Sequence, residues 1–290
     1  MTVTAGHASV EQRPVDNDPL RVPQRGDMIA RLVLAVALSI VAPPARADDT
    51  RLVALTDGNA LLVFSAADPG HLERVEVKGV RGTLVGIDCR PSDGRLYGLG
   101  TTYDLYTIDP STGAATALST LTNPFDGGAR AGVDFNPQAD RLRLVAASGQ
   151  NLRVNVTLGA TAIDAALAYA AGDPNHGRRP GVTAAAYANN RAGAATTRLF
   201  DIDAEADVLA LQEPPNDGVL VTVGPLGVDV GPRAGFDIVT DASGTDRGFA
   251  AWAGTAYAID LKTGAARPLG AIAGSPEIIG LAALQVCTKR

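Results

Sequence analysis

Histidine is nearly missing from this chain: three residues in 290, at positions 7, 71 and 176. That scarcity, with no G-x-S-x-G elbow, H-E-x-x-H pair, phosphate loop or C-x-x-C, removes the usual signatures of hydrolases, zinc enzymes, nucleotide binders and dithiol redox proteins. Aromatic residues are only 4% of the chain, too few for an extended sugar-stacking surface, so the core must be built from Val, Leu, Ile and Ala. The net charge is −6 and no basic run relieves it, which argues against nucleic acid and anionic lipid as partners.

Long apolar runs are also few. The one at Leu32–Val41 follows a weakly basic start at Met28-Ile29-Ala30-Arg31 and precedes Ala45-Arg46-Ala47, the pattern of a secretory signal peptide cleaved after Ala47. It is too short to span a bilayer, so the mature chain is expected to have no membrane span. Residues 1–27 then read as an over-extended or disordered start and 28–47 as the signal. Residues 48–290 read as one domain of a secreted or periplasmic protein, a monomer whose partner is an envelope or extracellular protein or a small molecule. A cytoplasmic tail on a signal anchor is the alternative.

What the chain does have is a repeat. Strands ending in a small polar or acidic residue close at Ser65, Asp109, Asn155, Asp203 and Asp260, with spacings of 44, 46, 48 and 57 residues. A second element recurs at Gly86-Ile87-Asp88, Gly132-Val133-Asp134, Gly235-Phe236-Asp237 and Gly280-Leu281-Ala282, with a further copy due at Thr183-Ala184-Ala185-Ala186-Tyr187. A period of this length without helical periodicity is that of one four-stranded antiparallel propeller blade. The expected fold is therefore all-β, a five-bladed β-propeller, with six blades as the rival. The last start has no strands after it and the first end has no start before it, so the N- and C-terminal strands should share a blade and close the ring. Asp109 with Gly113, and Asp260 with Gly264, read as hairpin turns.

Four groups of residues are candidates for a site. Asp88, Asp134 and Asp237 occupy one repeated position on the innermost strands, where three carboxylates would converge on a hard cation such as Ca²⁺ or hold raised pKa values. The alternative is that each bonds backbone amides and fixes its strand. Arg130, Arg141, Arg143 and Arg153, with Asn151 and Asn155, gather in one repeat of an acidic chain and suit either an anionic ligand or internal pairing with acids. The polar loop Gly172–Pro180 carries His176 and Arg178 and offers a place for a specific contact or a solvated surface. Asp201-Ile202-Asp203-Ala204-Glu205-Ala206-Asp207 has the spacing of a calcium loop, but Ala206 stands where glycine is needed and Gln212 where the bidentate acid belongs. The two cysteines, Cys89 and Cys287, fall in neighbouring blades after ring closure and would pair in an oxidising compartment, unless Cys89 is simply a small buried apolar residue.

The segments Gly86-Ile87-Asp88-x-Arg90-Pro91 with Leu96-Tyr97-Gly98-Leu99-Gly100, Gly132-Val133-Asp134-Phe135-Asn136-Pro137 with Asp140–Arg143, Asn151–Asn155, Val182–Tyr187 and Gly235–Ile238 resemble the bacterial exported family known as domain of unknown function 4394, across Leu52 to Leu284. Ala188, after Tyr187, departs from the pattern in a minor way. The resemblance implies a propeller-like repeat domain outside the cytoplasm and brings no activity with it. From the residues themselves, the leading function is a non-catalytic binding or interaction module. The alternative is a metal-dependent hydrolase or lactonase-like enzyme with Asp88, Asp134 and Asp237 as ligands, and a purely structural display domain is a third possibility.

Overall fold

A computed structural model of the chain describes residue 2 and residues 50–274 and 277–288. The signal segment and its cleavage site lie outside the described residues. Among the described residues every regular element is a strand except two three-residue 3-10 turns, Pro215–Asp217 and Val286–Thr288, and the strands form five sheets.

The chain begins with β1 (Arg51–Thr56), β2 (Ala60–Ser65) and β3 (Asp68–Glu76). The second blade is β4 (Leu84–Arg90), β5 (Arg95–Gly100), β6 (Asp104–Ile108) and β7 (Ala115–Thr120). The third is β8 (Ala131–Asn136), β9 (Arg141–Ala146), β10 (Asn151–Asn155) and β11 (Ala160–Ile163). A two-residue strand, β12 (Ala168–Tyr169), then joins the fourth blade, β13 (Val182–Tyr187), β14 (Leu199–Asp203), β15 (Val208–Gln212) and β16 (Val219–Pro225), by pairing parallel to β16. The fifth is β17 (Gly235–Thr240), β18 (Asp246–Trp252), β19 (Thr255–Ile259) and β20 (Ala266–Ala271). Finally β21 (Ile278–Ala283) pairs antiparallel with β1, Val53 opposite Ala282, and supplies the missing inner strand of the first blade. The ring is closed by the two ends of the chain, as the unequal ends of the repeat require.

The inner strands β4, β8, β13, β17 and β21 follow one another around the axis. Glycine recurs on them because they approach so closely: a Cβ on Gly132 would stand 2.5 Å from the Ala185 Cβ, and one on Gly235 would stand 2.5 Å from the Gly280 carbonyl carbon. The space left at their centre is about 10 Å³, roughly one water, so the axis is filled rather than open. Five apolar clusters of the described residues sit one at each junction between blades. The junction of blades three and four has the smallest of them and is the most polar, with Arg143, Asn151, Asp201, Asp203 and Gln212 all buried there.

Turn chemistry follows the sequence. Asp109 Oδ1 accepts the Ser111 N–H at 2.8 Å and Asp260 Oδ1 the Lys262 N–H at 2.8 Å, each followed by a glycine with positive φ. One element differs from expectation. Leu199–Asp203 is the second strand of its blade, not the third, and the true counterpart of the other repeat ends is β15. The long 188–198 connection displaces the fourth blade's spacing, which is why the period there is irregular.

Candidate functional site

Two places bring candidate residues together. The first is the axis. At one level of the ring the five inner strands present the backbone N–H groups of Cys89, Phe135, Tyr187, Ile238 and Ala283. Asp88 accepts from Cys89 at 2.6 Å and from Phe135 on the next blade at 2.7 Å. Asp134 Oδ1 accepts from Tyr187 at 3.0 Å. Asp237 accepts from Ile238 at 2.6 Å and from Ala283, across the closing seam, at 2.6 Å. Three carboxylates thus satisfy all five donors. Where the preceding strand carries Ala282 or Ala186 instead of an acid, the next strand's own aspartate takes the N–H. The fourth-blade position is therefore Ala186, which stands three residues past the bulge at Thr183 as Asp88 stands three past the bulge at Val85.

The three side chains are buried and offer oxygens that all lie within 4.8 Å of one another. Burial, then the charge of the neighbouring acids, pushes Asp88 and Asp134 well above the usual carboxylate range, and burial raises Asp237 to about 7. As a cation site the donor set fits poorly. Ca²⁺ takes roughly six to eight oxygens, whereas five of the six oxygens here already accept N–H groups, so the trio is furnished to hold protons and backbone.

The second place is a cleft of about 520 Å³ at the mouth of the junction between blades three and four, lined by Asp126, Arg130, Ser148, Arg178, Arg179 and Glu205 among others. Arg130 reaches across to Glu205 Oε1 at 2.9 Å. Arg233 makes the corresponding bridge to Asp57, at 2.9 Å, between blades five and one, so this pair is an interblade clamp that recurs in the fold. Arg178 and Arg179 come from the 170–181 segment. That segment is held to β16 by Asp173, which accepts the Thr222 N–H and hydroxyl at 2.7 and 2.8 Å, and by Asn175 Nδ2 on Thr222. Arg178 donates to Asn175 Oδ1 and to the Glu205 carbonyl, and Arg179 to the Ser148 carbonyl at 3.2 Å. Among the described residues neither has a carboxylate partner. Asp126 accepts the Ser148 hydroxyl at 2.6 Å and likewise has no cationic partner among them.

The other arginines are not in this cleft. Arg143, 1% exposed, bonds Asp164 Oδ2, Asn151, Asn216 and Tyr187, and Arg153 forks onto the same Asp164. Burial pushes Asp164 up, but Arg153 and Arg143 together hold it below its ordinary value. Arg141 is exposed and donates to the carbonyls of Ala139 and Asp140. Asn155 caps its own turn through the Thr157 N–H. His176 is exposed, with Nδ1 beside the Tyr169 carbonyl, and does not line the cleft. The acids of 201–207 diverge: Asp203 Oδ1 accepts the N–H groups of Gly181, Glu205 and Ala206, Asp207 accepts that of Val230, and Asp201 is buried with both oxygens unpartnered, its pKa driven up by burial. They form a turn and no calcium loop. Cys89 and Cys287 are joined by a disulfide, Cα to Cα 5.2 Å, which ties the C-terminal segment to the inner strand of the second blade.

Of the charged residues of the cleft, sequence reasoning left out only Asp126; Arg179 lies in the candidate loop Gly172–Pro180 and Glu205 in the candidate run 201–207. Residues 60–282 match the family model described as domain of unknown function (DUF4394). The chain belongs to that family. No curated protein matches it. Among solved structures it is similar to virginiamycin B lyase from Staphylococcus aureus, 18% identical with a TM-score of 0.38 over 68% of this chain and 57% of that one. It is also similar to an auxiliary nutrient binding protein from Bacteroides ovatus ATCC 8483, 14% identical, TM-score 0.43, over 71% and 55% of the two chains. A third is a protein of unknown function from Bacteroides thetaiotaomicron VPI-5482, 14% identical, TM-score 0.48, over 80% and 64%. The chain spans little more than half the length of the first two.

Proposed function

We propose that this DUF4394 protein is an exported, non-catalytic binding module that takes an anionic small molecule in the cleft between blades three and four. The observation that carries this reading is the pair of guanidiniums, Arg178 and Arg179, that line a 520 Å³ cleft without carboxylate partners among the described residues, in a chain of net charge −6. Guanidinium forks bind carboxylates well, and a concave polar site of this volume suits a small molecule. The axis is filled, with about 10 Å³ at its centre, and the cleft itself is lined by no histidine among the described residues. A thermal-shift series on the mature chain with mono- and dicarboxylates, beside an Arg178→Ala/Arg179→Ala variant, tests it. A rise in Tm that the double variant loses supports the reading, and no rise with any carboxylate refutes it. Export is tested by intact mass: the secreted form should begin at Asp48.

A metal-assisted hydrolase centred on Asp88, Asp134 and Asp237 is the second reading, favoured by the convergence of their oxygens within 4.8 Å. It requires that Ca²⁺ raise Tm and that Asp134→Asn abolish the rise. The engagement of those oxygens by backbone predicts a flat response to both Ca²⁺ and EDTA.

A further inference from the structure

Charge that is left over in the cleft specifies more than an anion. Arg130 and Glu205 neutralise one another across the blade junction at 2.9 Å. What remains is two guanidiniums, Arg178 and Arg179, and one carboxylate, Asp126, none of them matched by an opposite charge among the described residues. The arrangement is compact. Ser148 stands between the two signs, its carbonyl accepting from Arg179 at 3.2 Å and its hydroxyl donating to Asp126 at 2.6 Å. A cation-seeking and an anion-seeking group are therefore separated by one residue.

That juxtaposition matches a molecule whose ammonium and carboxylate sit on one carbon. The Arg178 guanidinium is anchored at different groups, Asn175 Oδ1 and the Glu205 carbonyl, which leaves a second anion-seeking group fixed at the cleft. No aromatic ring lines the space, and its apolar contribution is limited to residues such as Ala147 and Pro180, so neither a stacked sugar nor an apolar ligand finds a surface there. Planar guanidiniums held by their own hydrogen bonds are preorganised for carboxylates, which lessens the ordering cost of binding.

Resting on the cleft assigned above, we infer that its ligand is an acidic α-amino acid of the aspartate and glutamate class, with its two carboxylates on Arg178 and Arg179 and its ammonium on Asp126. The inventory of two positive charges and one negative complements a ligand with two carboxylates and one ammonium.

The test is isothermal titration calorimetry on the mature chain with L-glutamate and L-aspartate, against glutarate and succinate, which lack the ammonium, and glutamine, which lacks the second carboxylate. The expected result is that one acidic amino acid binds, and that the diacid of the same carbon chain and the amide each bind about tenfold or more weakly, the scale of one lost charge-assisted contact. Asp126→Asn should erase the preference over the diacid. Arg178→Ala, which removes the partner of the side-chain carboxylate, should erase the preference over the amide where L-glutamate is the ligand. Equal binding of glutarate and glutamate, with both lost in Arg178→Ala/Arg179→Ala, overturns the amino-acid assignment and leaves the anion cleft standing. No binding of any of these compounds overturns both.

Discussion

Asp237 joins the fifth blade to the strand that closes the ring, and its replacement tests how much the axial carboxylates contribute. In Asp237→Ala the buried N–H groups of Ile238 and Ala283 lose their acceptor. Each unsatisfied buried donor costs about 1–3 kcal/mol, so the variant should lose about 2–6 kcal/mol, against a total domain stability of about 5–15 kcal/mol. The same residue makes the wild type sensitive to pH. Its folded carboxyl titrates at about 7, raised by burial, while the unfolded one titrates near 3.8. The folded state thus holds a proton that the unfolded state has already released. Stability from this group is complete below the unfolded value, falls as pH rises and is lost above about 7, a swing on the order of 4 kcal/mol. Asp88 and Asp134 shift the same way and reinforce it.

Urea titrations at pH 5, 6, 7 and 8, with the disulfide intact, can follow Trp252, the only tryptophan, buried in the same blade and stacked on Tyr257 at 4.0 Å. The wild type should weaken from pH 5 to pH 8, and the gap to Asp237→Ala should narrow over the same range. If the alanine variant fails to fold, Asp237→Asn retains one acceptor and removes the titration. A wild type that gains stability between pH 5 and 7, or a variant as stable as the wild type at pH 5, would refute the reasoning.

Three further outcomes follow from the ring. Reducing the Cys89–Cys287 bond, which spans 198 residues, should cost about 5 kcal/mol by loop entropy and lower Tm clearly, whereas an unchanged Tm in dithiothreitol would show that the tie is idle. Deleting residues 277–290 strips Ile278, Ile279 and Leu281 from the core at about 1.5–3 kcal/mol each and leaves β1 with an unpaired edge, so circular dichroism should record no cooperative melt. Arg143→Met removes a buried guanidinium from Asp164, Asn151 and Asn216 and should destabilise by about 3–5 kcal/mol in denaturant titrations, with no effect on ligand binding in the cleft.

The architecture was largely legible because blade strands repeat local chemistry: an Asp and a Gly at the β6–β7 and β19–β20 hairpins, and a Gly two residues before each axial Asp. Ring closure could be read from the unpaired ends of that repeat. Two things misled it. The run Ala184-Ala185-Ala186 carries no side chain that marks which residue of the fourth inner strand reaches the axial level, and only the bond from the Tyr187 N–H to Asp134 shows that it is Ala186. The long 188–198 connection places Leu199–Asp203 where a third strand is due. The cleft was only half visible. Arg130 stood out as excess positive charge, Arg178 as part of a polar loop and Glu205 as an acid of a calcium-like run, but nothing local marks Asp126 or shows that these loops, far apart in sequence, converge. Arg143 and Arg153 drew notice for the same excess and serve instead to neutralise Asp164 inside the junction.

The most direct measurement is a pair of backbone amide NMR titrations of the mature chain, one with L-glutamate and one with L-aspartate, read for the tighter ligand. The account predicts saturable shifts clustered at Gly127, Ser148, Arg178, Arg179, Gly181 and Glu205, absent from Arg178→Ala/Arg179→Ala. Shifts centred on the axial strands around Asp88, Asp134 and Asp237, or no saturable shifts at all, would contradict it.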